Sequence, residues 1–132
     1  MTSIVLADDH PVVRQGLRAL LEAETDFRLI GEAGDGLEAV QLAERLCPNV
    51  LVLDLMMPGM TGFEVVQRLR EDPATSGIPI LICTAKTLTA PERELLSRQV
   101  ESIIEKGSFE TEDLLQMMAT LRNRQRGAPQ SP

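Results

Sequence analysis

Asn49-Val50-Leu51-Val52-Leu53-Asp54-Leu55-Met56-Met57-Pro58-Gly59 lies near the middle of the chain. Its four apolar residues, Val50 to Leu53, run without polar alternation. That pattern is a strand covered on both faces, the usual state of a strand in a parallel sheet. The strand stops abruptly at Asp54, and Pro58-Gly59 marks a loop. A sheet covered on both faces needs helices on each side, and the flanking sequence supplies them. Upstream, Ile4 to Ala7 is a short apolar run ending at Asp8-Asp9, and His10-Pro11 then opens a helix. Proline near a first turn forfeits no hydrogen bond. Val12, Val13, Leu17, Leu20 and Leu21 recur at helical steps and predict one apolar stripe. Phe27 to Ala33 reads as a second strand, Gly34-Asp35-Gly36 as punctuation, and Leu37, Val40, Leu42, Ala43 and Leu46 as a second helix stopped by Pro48.

Downstream the alternation continues. A loop runs through Met57 to Gly62, and Phe63, Val66 and Leu69 form a third helix. Ile80 to Cys83 is a fourth strand ending at Thr84, and Thr89 with Glu92 has the spacing of a capping box for a fourth helix. Ser102 to Glu105 is a fifth strand ending at Lys106, and Thr111 caps a last helix through Leu114, Leu115, Met118 and Leu121. Five strand-helix pairs in succession predict an α/β, doubly wound sandwich with right-handed crossovers. The flavodoxin-like (βα)5 arrangement, a five-stranded parallel sheet in order 2-1-3-4-5, is the natural solution.

Length and composition agree. A chain of 132 residues makes one domain, expected over residues 1–126, with 127–132 as a disordered tail. Hydrophobic residues at 43 % suffice for a packed core, and a net charge of −7 argues against direct binding of nucleic-acid phosphate or anionic membrane. The acidic balance suits a protein that collects a divalent cation. Cys47 and Cys83 have no metal-site spacing and read as reduced thiols of a cytoplasmic protein. The amino-terminal residues lack the basic and apolar regions of a leader, and no apolar run is long enough to span a membrane. The chain has no Trp and no Tyr, which removes aromatic stacking on bases or sugars as a binding mode.

Ligands of such sheets bind at the carboxyl ends of the strands. Here those ends carry Asp8 and Asp9, Asp54, Thr84 and Lys106. With strands 1, 3, 4 and 5 side by side, three carboxylates, a hydroxyl and an ammonium share one rim. The carboxylates repel one another, and Mg2+, which takes oxygen ligands and keeps several waters, relieves that conflict. Thr84 and Lys106 can bond phosphoryl oxygens. Asp54 is the natural nucleophile, since aspartate can form an aspartyl phosphate.

These five residues, in this order at four strand ends, resemble the response-regulator receiver domain of two-component signalling over about residues 3–124. The matching segments are Asp8-Asp9, Asp54 through Gly62, Thr84-Ala85 and Lys106. The resemblance implies that Asp54 is the phosphoacceptor. It makes Asp9 a direct Mg2+ ligand, with Asp8 acting mainly through water and Asp54 and the Met56 backbone carbonyl completing the metal set. It also implies that Thr84 reports the phosphoryl group, which pairs with Lys106. The implied donor is a sensor histidine kinase or a histidine phosphotransfer protein. The implied output is a protein docking on the face of the fourth helix, fifth strand and fifth helix. The domain is expected to be a monomer or a weak phosphorylation-dependent dimer, and to have no enzymatic activity beyond accepting its own phosphoryl group and losing it to water. Two positions depart from the family. Gly107 follows Lys106 where proline with a cis bond is usual, so a trans peptide is expected, and Ile103 stands where an aromatic switch residue is common. Residues 84–89 and 105–107 resemble receivers of hybrid sensor kinases and single-domain regulators. Residues 7–14 resemble receivers of helix-turn-helix transcription factors.

Other readings fit less well. A Mg2+-dependent phosphatase with an aspartyl nucleophile, of the haloacid-dehalogenase kind, wants an acid two residues beyond the nucleophile, where this chain has Met56. A flavin carrier wants a hydroxyl-rich first loop and aromatics. A degenerate receiver would lack part of the acceptor set, and all of it is present. His10, the sole histidine, reads as a first-turn residue beside the acidic rim, because one histidine makes a poor metal site alone.

Overall fold

The computed structural model describes residues 2–23, 25–84 and 86–105, with the side chain of Val13 excepted. Lys106, Gly107, the helix expected from Thr111 and the tail 127–132 lie outside the described residues, as does Ala85. The elements are β1 (Thr2–Ala7), α1 (Pro11–Glu22), β2 (Phe27–Ala33), α2 (Gly36–Leu46), β3 (Val50–Leu53), α3 (Gly62–Glu71), β4 (Ile80–Thr84), α4 (Ala90–Ser97) and β5 (Ser102–Glu105). All strand pairs are parallel, and the sheet order is β2-β1-β3-β4-β5.

The unbroken apolar strands feed two cores. Successive side chains point to opposite faces, so Ile4, Leu6, Val50, Val52, Leu81 and Cys83 pack on one side with Leu17 and Leu21 of α1. Val5, Ala7, Leu51, Leu53, Ile80 and Ile82 pack on the other with α2, α3 and Leu96 of α4. No disulfide joins the cysteines: Cys47 is exposed and Cys83 buried.

Two details of the apolar pattern are corrected. Val12 is 80 % exposed and Leu37 is 52 % exposed, so neither belongs to a core. Each is the second residue of its helix. A helix that follows a strand begins at the carboxyl rim, where its first turn has no sheet beneath it. Three of the four described helix starts carry a side-chain cap, whereas α1 begins at His10 with none. Asp35 caps α2 through the Glu38 N–H, and both Thr61 with Glu64 and Thr89 with Glu92 form complete capping boxes. No helix among the described residues is long and apolar enough to cross a membrane.

Candidate functional site

The site grows from the sheet register. Ala7 pairs with Leu53, and the Asp54 N–H donates to the Ala7 carbonyl at 2.9 Å. Asp8 and Asp54, each one residue further on, therefore stand at neighbouring strand ends. Both are only 2 % exposed. Leu53 pairs with Ile82, which puts Asp54 level with Cys83 and Thr84 one residue beyond it on the next strand. Thr84 in turn pairs with Glu105, the last described residue of β5.

The loop after β1 turns back over this rim. Asp8 Oδ1 accepts from the His10 N–H at 2.9 Å, and the Arg14 guanidinium donates to the Asp8 carbonyl at 3.0 Å. Arg14 and Arg18 of α1 both pair with Glu32 of β2, which fixes the helix against the sheet. The loop after β3 is held from the other side. Asp54 Oδ1 accepts from the Met56 N–H at 3.1 Å, and the Gly62 N–H donates to the Leu55 carbonyl at 3.1 Å. A Cβ on Gly62 would stand 2.6 Å from the Asp54 carbonyl oxygen and 2.6 Å from the Leu55 Cα. Only glycine lets α3 start this close to the Asp54 backbone. Gly59, with φ at +72°, makes the turn between them.

The result is a compact group of Asp8, Asp9, His10 and Asp54, with one ligand atom from each lying within 4.8 Å of the others. His10 Nδ1 is 3.1 Å from Asp8 Oδ1, 3.0 Å from Asp9 Oδ1 and 3.9 Å from Asp54 Oδ2. Asp9 Oδ1 is buried and, despite its closeness to the ring, has no hydrogen-bond partner. A carboxylate oxygen without a hydrogen bond beside two further carboxylates suits a cation. The donor set, oxygen-rich and anionic, fits the Mg2+ expected there.

Three of the expected site residues, Asp8, Asp9 and Asp54, are thus brought together directly. Thr84 is fully buried at the adjacent strand end, its Oγ1 accepting from the Lys86 N–H at 3.1 Å. Met56 is half exposed at the rim. Three further residues shape the site. His10, expected beside the acidic rim, has Asp8 and Asp9 as its partners. Arg14 carries a signal only in being one helical turn past His10. Glu105 accepts from the Leu88 N–H at 3.1 Å and pairs with Arg93, tying the end of β5 to the loop after β4 and to α4. Those two partners hold the Glu105 carboxyl below the usual range, the Leu88 N–H contributing most and Arg93 adding to it.

Comparison with known proteins agrees with this geometry. Residues 4–119 match the family described as the response regulator receiver domain. The chain is 42 % identical over 84 residues to the transcriptional regulatory protein YdfI of Bacillus subtilis, covering 64 % of this chain and 38 % of that protein. It is 45 % identical over 78 residues to the nitrate/nitrite response regulator protein NarP of Escherichia coli, covering 59 % of this chain and 36 % of that protein. The chain thus matches little more than a third of the length of these relatives. Among solved structures, a two-component response regulator of the LuxR family from an Aurantimonas species superposes with a TM-score of 0.79 at 32 % identity, covering 93 % of this chain and 86 % of that one.

Proposed function

The chain belongs to the response regulator receiver domain family, and from that membership we propose that it accepts a phosphoryl group from a phosphohistidine donor onto Asp54 and thereby switches partner binding in a phosphorelay. One observation carries the reading. Asp54 is buried at the end of the central strand, with Oδ1 held by the Met56 N–H, Oδ2 3.9 Å from the His10 ring, and its carboxylate grouped with Asp8 and Asp9. Oδ2 is the nucleophile. It attacks phosphorus in line with the donor nitrogen; the O–P bond forms as the P–N bond breaks, and the donor imidazole leaves with the electron pair. Burial strips water from the attacking oxygen and fixes its direction.

Asp9, Asp54 and the Met56 carbonyl would hold Mg2+, with Asp8 in support. When bound, the ion supplies the positive charge that offsets the carboxylates and draws the phosphoryl oxygens. Thr84 and Lys106 take the remaining phosphoryl oxygens. To do so the Thr84 hydroxyl turns from the Lys86 N–H toward the phosphoryl group, and the loop carrying Lys86 and Leu88 follows it. The output surface comprises α4, β5 and the helix expected from Thr111. The phosphoryl group biases this two-state change only through the contacts it makes in one state. Water then removes the phosphoryl group, with no separate substrate turned over.

Similarity to NarP and to a LuxR-family structure favours a place as the receiver of a DNA-binding regulator. DNA contact then belongs to an output domain, since this chain carries a net charge of −7. The reading is tested by intact mass after incubation with a small acyl phosphate, with and without Mg2+. A single Mg2+-dependent phosphoryl gain, absent in Asp54→Ala, is expected. A gain that persists in Asp54→Ala contradicts the reading.

A further inference from the structure

Leu96 is the one buried residue of α4, and Leu95 beside it is exposed. So little apolar contact leaves the position of the helix to polar ties at its two ends. At the far end the Arg70 guanidinium of α3 donates to the Gln99 carbonyl at 2.8 Å and to the Ser76 carbonyl at 3.0 Å. At the near end the anchor is Glu105. One of its carboxylate oxygens accepts from the Leu88 N–H at 3.1 Å, and the other pairs with Arg93 of α4. Glu105 also pairs with Thr84 across the sheet and immediately precedes Lys106 in the sequence. Thr84 Oγ1 accepts from the Lys86 N–H, and Lys86 Nζ lies 3.5 Å from Glu92 Oε1. One carboxylate thus joins the strand end beside Thr84 to the loop after β4 and to α4. Ile103 offers no such link. It is a branched aliphatic side chain, stiff about χ1 and packed against the core.

We propose that Glu105 is the positioning residue through which this chain passes the phosphoryl signal to α4: it clamps Leu88 and Arg93 in the unphosphorylated state and releases them when Thr84 turns. The inference rests on the functional reading above and assigns the step between acceptor site and output helix. As the Thr84 hydroxyl leaves the Lys86 N–H, the loop shifts and the Leu88 N–H draws away from the Glu105 carboxylate. Arg93 then loses its fixed partner, and the near end of α4 loosens. The far end stays tied to α3 through Arg70, so the helix swings about that end. The clamp exists in one state only, so removing it favours the other. Ile103, without an aromatic ring to reorient, is a passive part of the core, and the acid two residues later performs the switching.

The test follows the backbone amides of residues 86–97 by NMR in the full 15N-labelled chain, before and after treatment with acyl phosphate and Mg2+, with intact mass recording the phosphoryl gain. The two wild-type spectra define a line for each amide. Unphosphorylated Glu105→Ala is expected to lie part-way along those lines toward the phosphorylated positions. The ratio of clamped to released protein falls by about two- to fivefold, the range of an exposed charge pair. Arg93→Ala moves the same way, whereas Arg93→Lys, which keeps the charge, stays near wild type. Arg70→Ala loosens α4 at its other end and serves as the structural control; it moves these amides off the lines. If the wild type gains its phosphoryl group but Glu105→Ala and Arg93→Ala leave the amides in place or move them off the lines, the inference is overturned while the phosphoacceptor reading stands. The same holds if Arg70→Ala gives the shift along the lines. A wild type that gains no phosphoryl group overturns both.

Discussion

The two oxygens of Asp54 have unlike surroundings, and the chemistry depends on that difference. Oδ1 accepts from the Met56 N–H, whereas Oδ2 faces the ring of His10. The carboxylates crowd one another before any cation arrives. Asp54→Asn is therefore expected to raise the stability of the metal-free protein by about 1–2 kcal/mol, since unit charges about 4 Å apart at an effective dielectric near 20 interact by about 4 kcal/mol before water penetration. Denaturant unfolding in a chelator checks this; a less stable Asn variant contradicts it. Gly62 acts at the same scale. Gly62→Ala sets a Cβ against the backbone of Asp54 and Leu55, and overpacking of that kind costs about 1–3 kcal/mol. The variant is expected to lose stability and to accept phosphoryl groups more slowly than wild type, because the strand end that aims Asp54 is displaced.

Among the elements, α4 is held by two acids whose ionised form the fold favours. Glu92 lies below the usual carboxyl range chiefly through the Thr89 N–H, and Glu105 chiefly through the Leu88 N–H. A folded-state value below the unfolded one gives stability that is complete above the unfolded value, about 4.3 for glutamate, and lost as pH falls through the folded value. Amide exchange in residues 90–97 is therefore expected to accelerate at acid pH before that of β1 or β3, and Thr89→Ala to cost about 1 kcal/mol at neutral pH. How much of the sequence could be read also sorts by element. β2, β3 and β5 have the bounds that the sequence indicates; β3, buried along its whole length, leaves no ambiguity of period, whereas β2 and β5 are only partly buried. The Thr89 box could be read from spacing, whereas the Thr61 box stayed hidden inside a loop defined by its Pro-Gly. Val12 and Leu37 misled because periodicity reports which way a residue points on its helix but not whether a sheet lies opposite. The Asp8, Asp9 and Asp54 cluster could be read because strand ends in a parallel sheet share a rim. The place of His10 beside that cluster could be read too, but not its distances to Asp8 and Asp9, which the turned-back β1–α1 loop creates.

At the scale of the whole molecule, the sheet exists to hold that rim. Charge repulsion at its carboxyl end and two apolar cores beneath it oppose each other, and a cation on the rim favours the folded state. Mg2+ at about 100 times its dissociation constant is expected to stabilise the fold by about 2.7 kcal/mol, by mass action on the folded state alone. Asp9→Asn, which removes the carboxylate charge, should forfeit most of that gain in thermal unfolding. At the other rim residue, Thr84→Val keeps the buried volume but not the hydroxyl. It is expected to leave phosphoryl uptake in place while abolishing the accompanying amide shifts in α4.

The central claim, that Asp54 is the acceptor, is tested most directly by trapping. The protein is treated with acyl phosphate and Mg2+, reduced with borohydride and mapped by peptide mass spectrometry. Borohydride converts an aspartyl phosphate to homoserine. Homoserine at position 54, and only when Mg2+ was present, is the predicted result; homoserine at position 8 or 9, with 54 intact, contradicts the account.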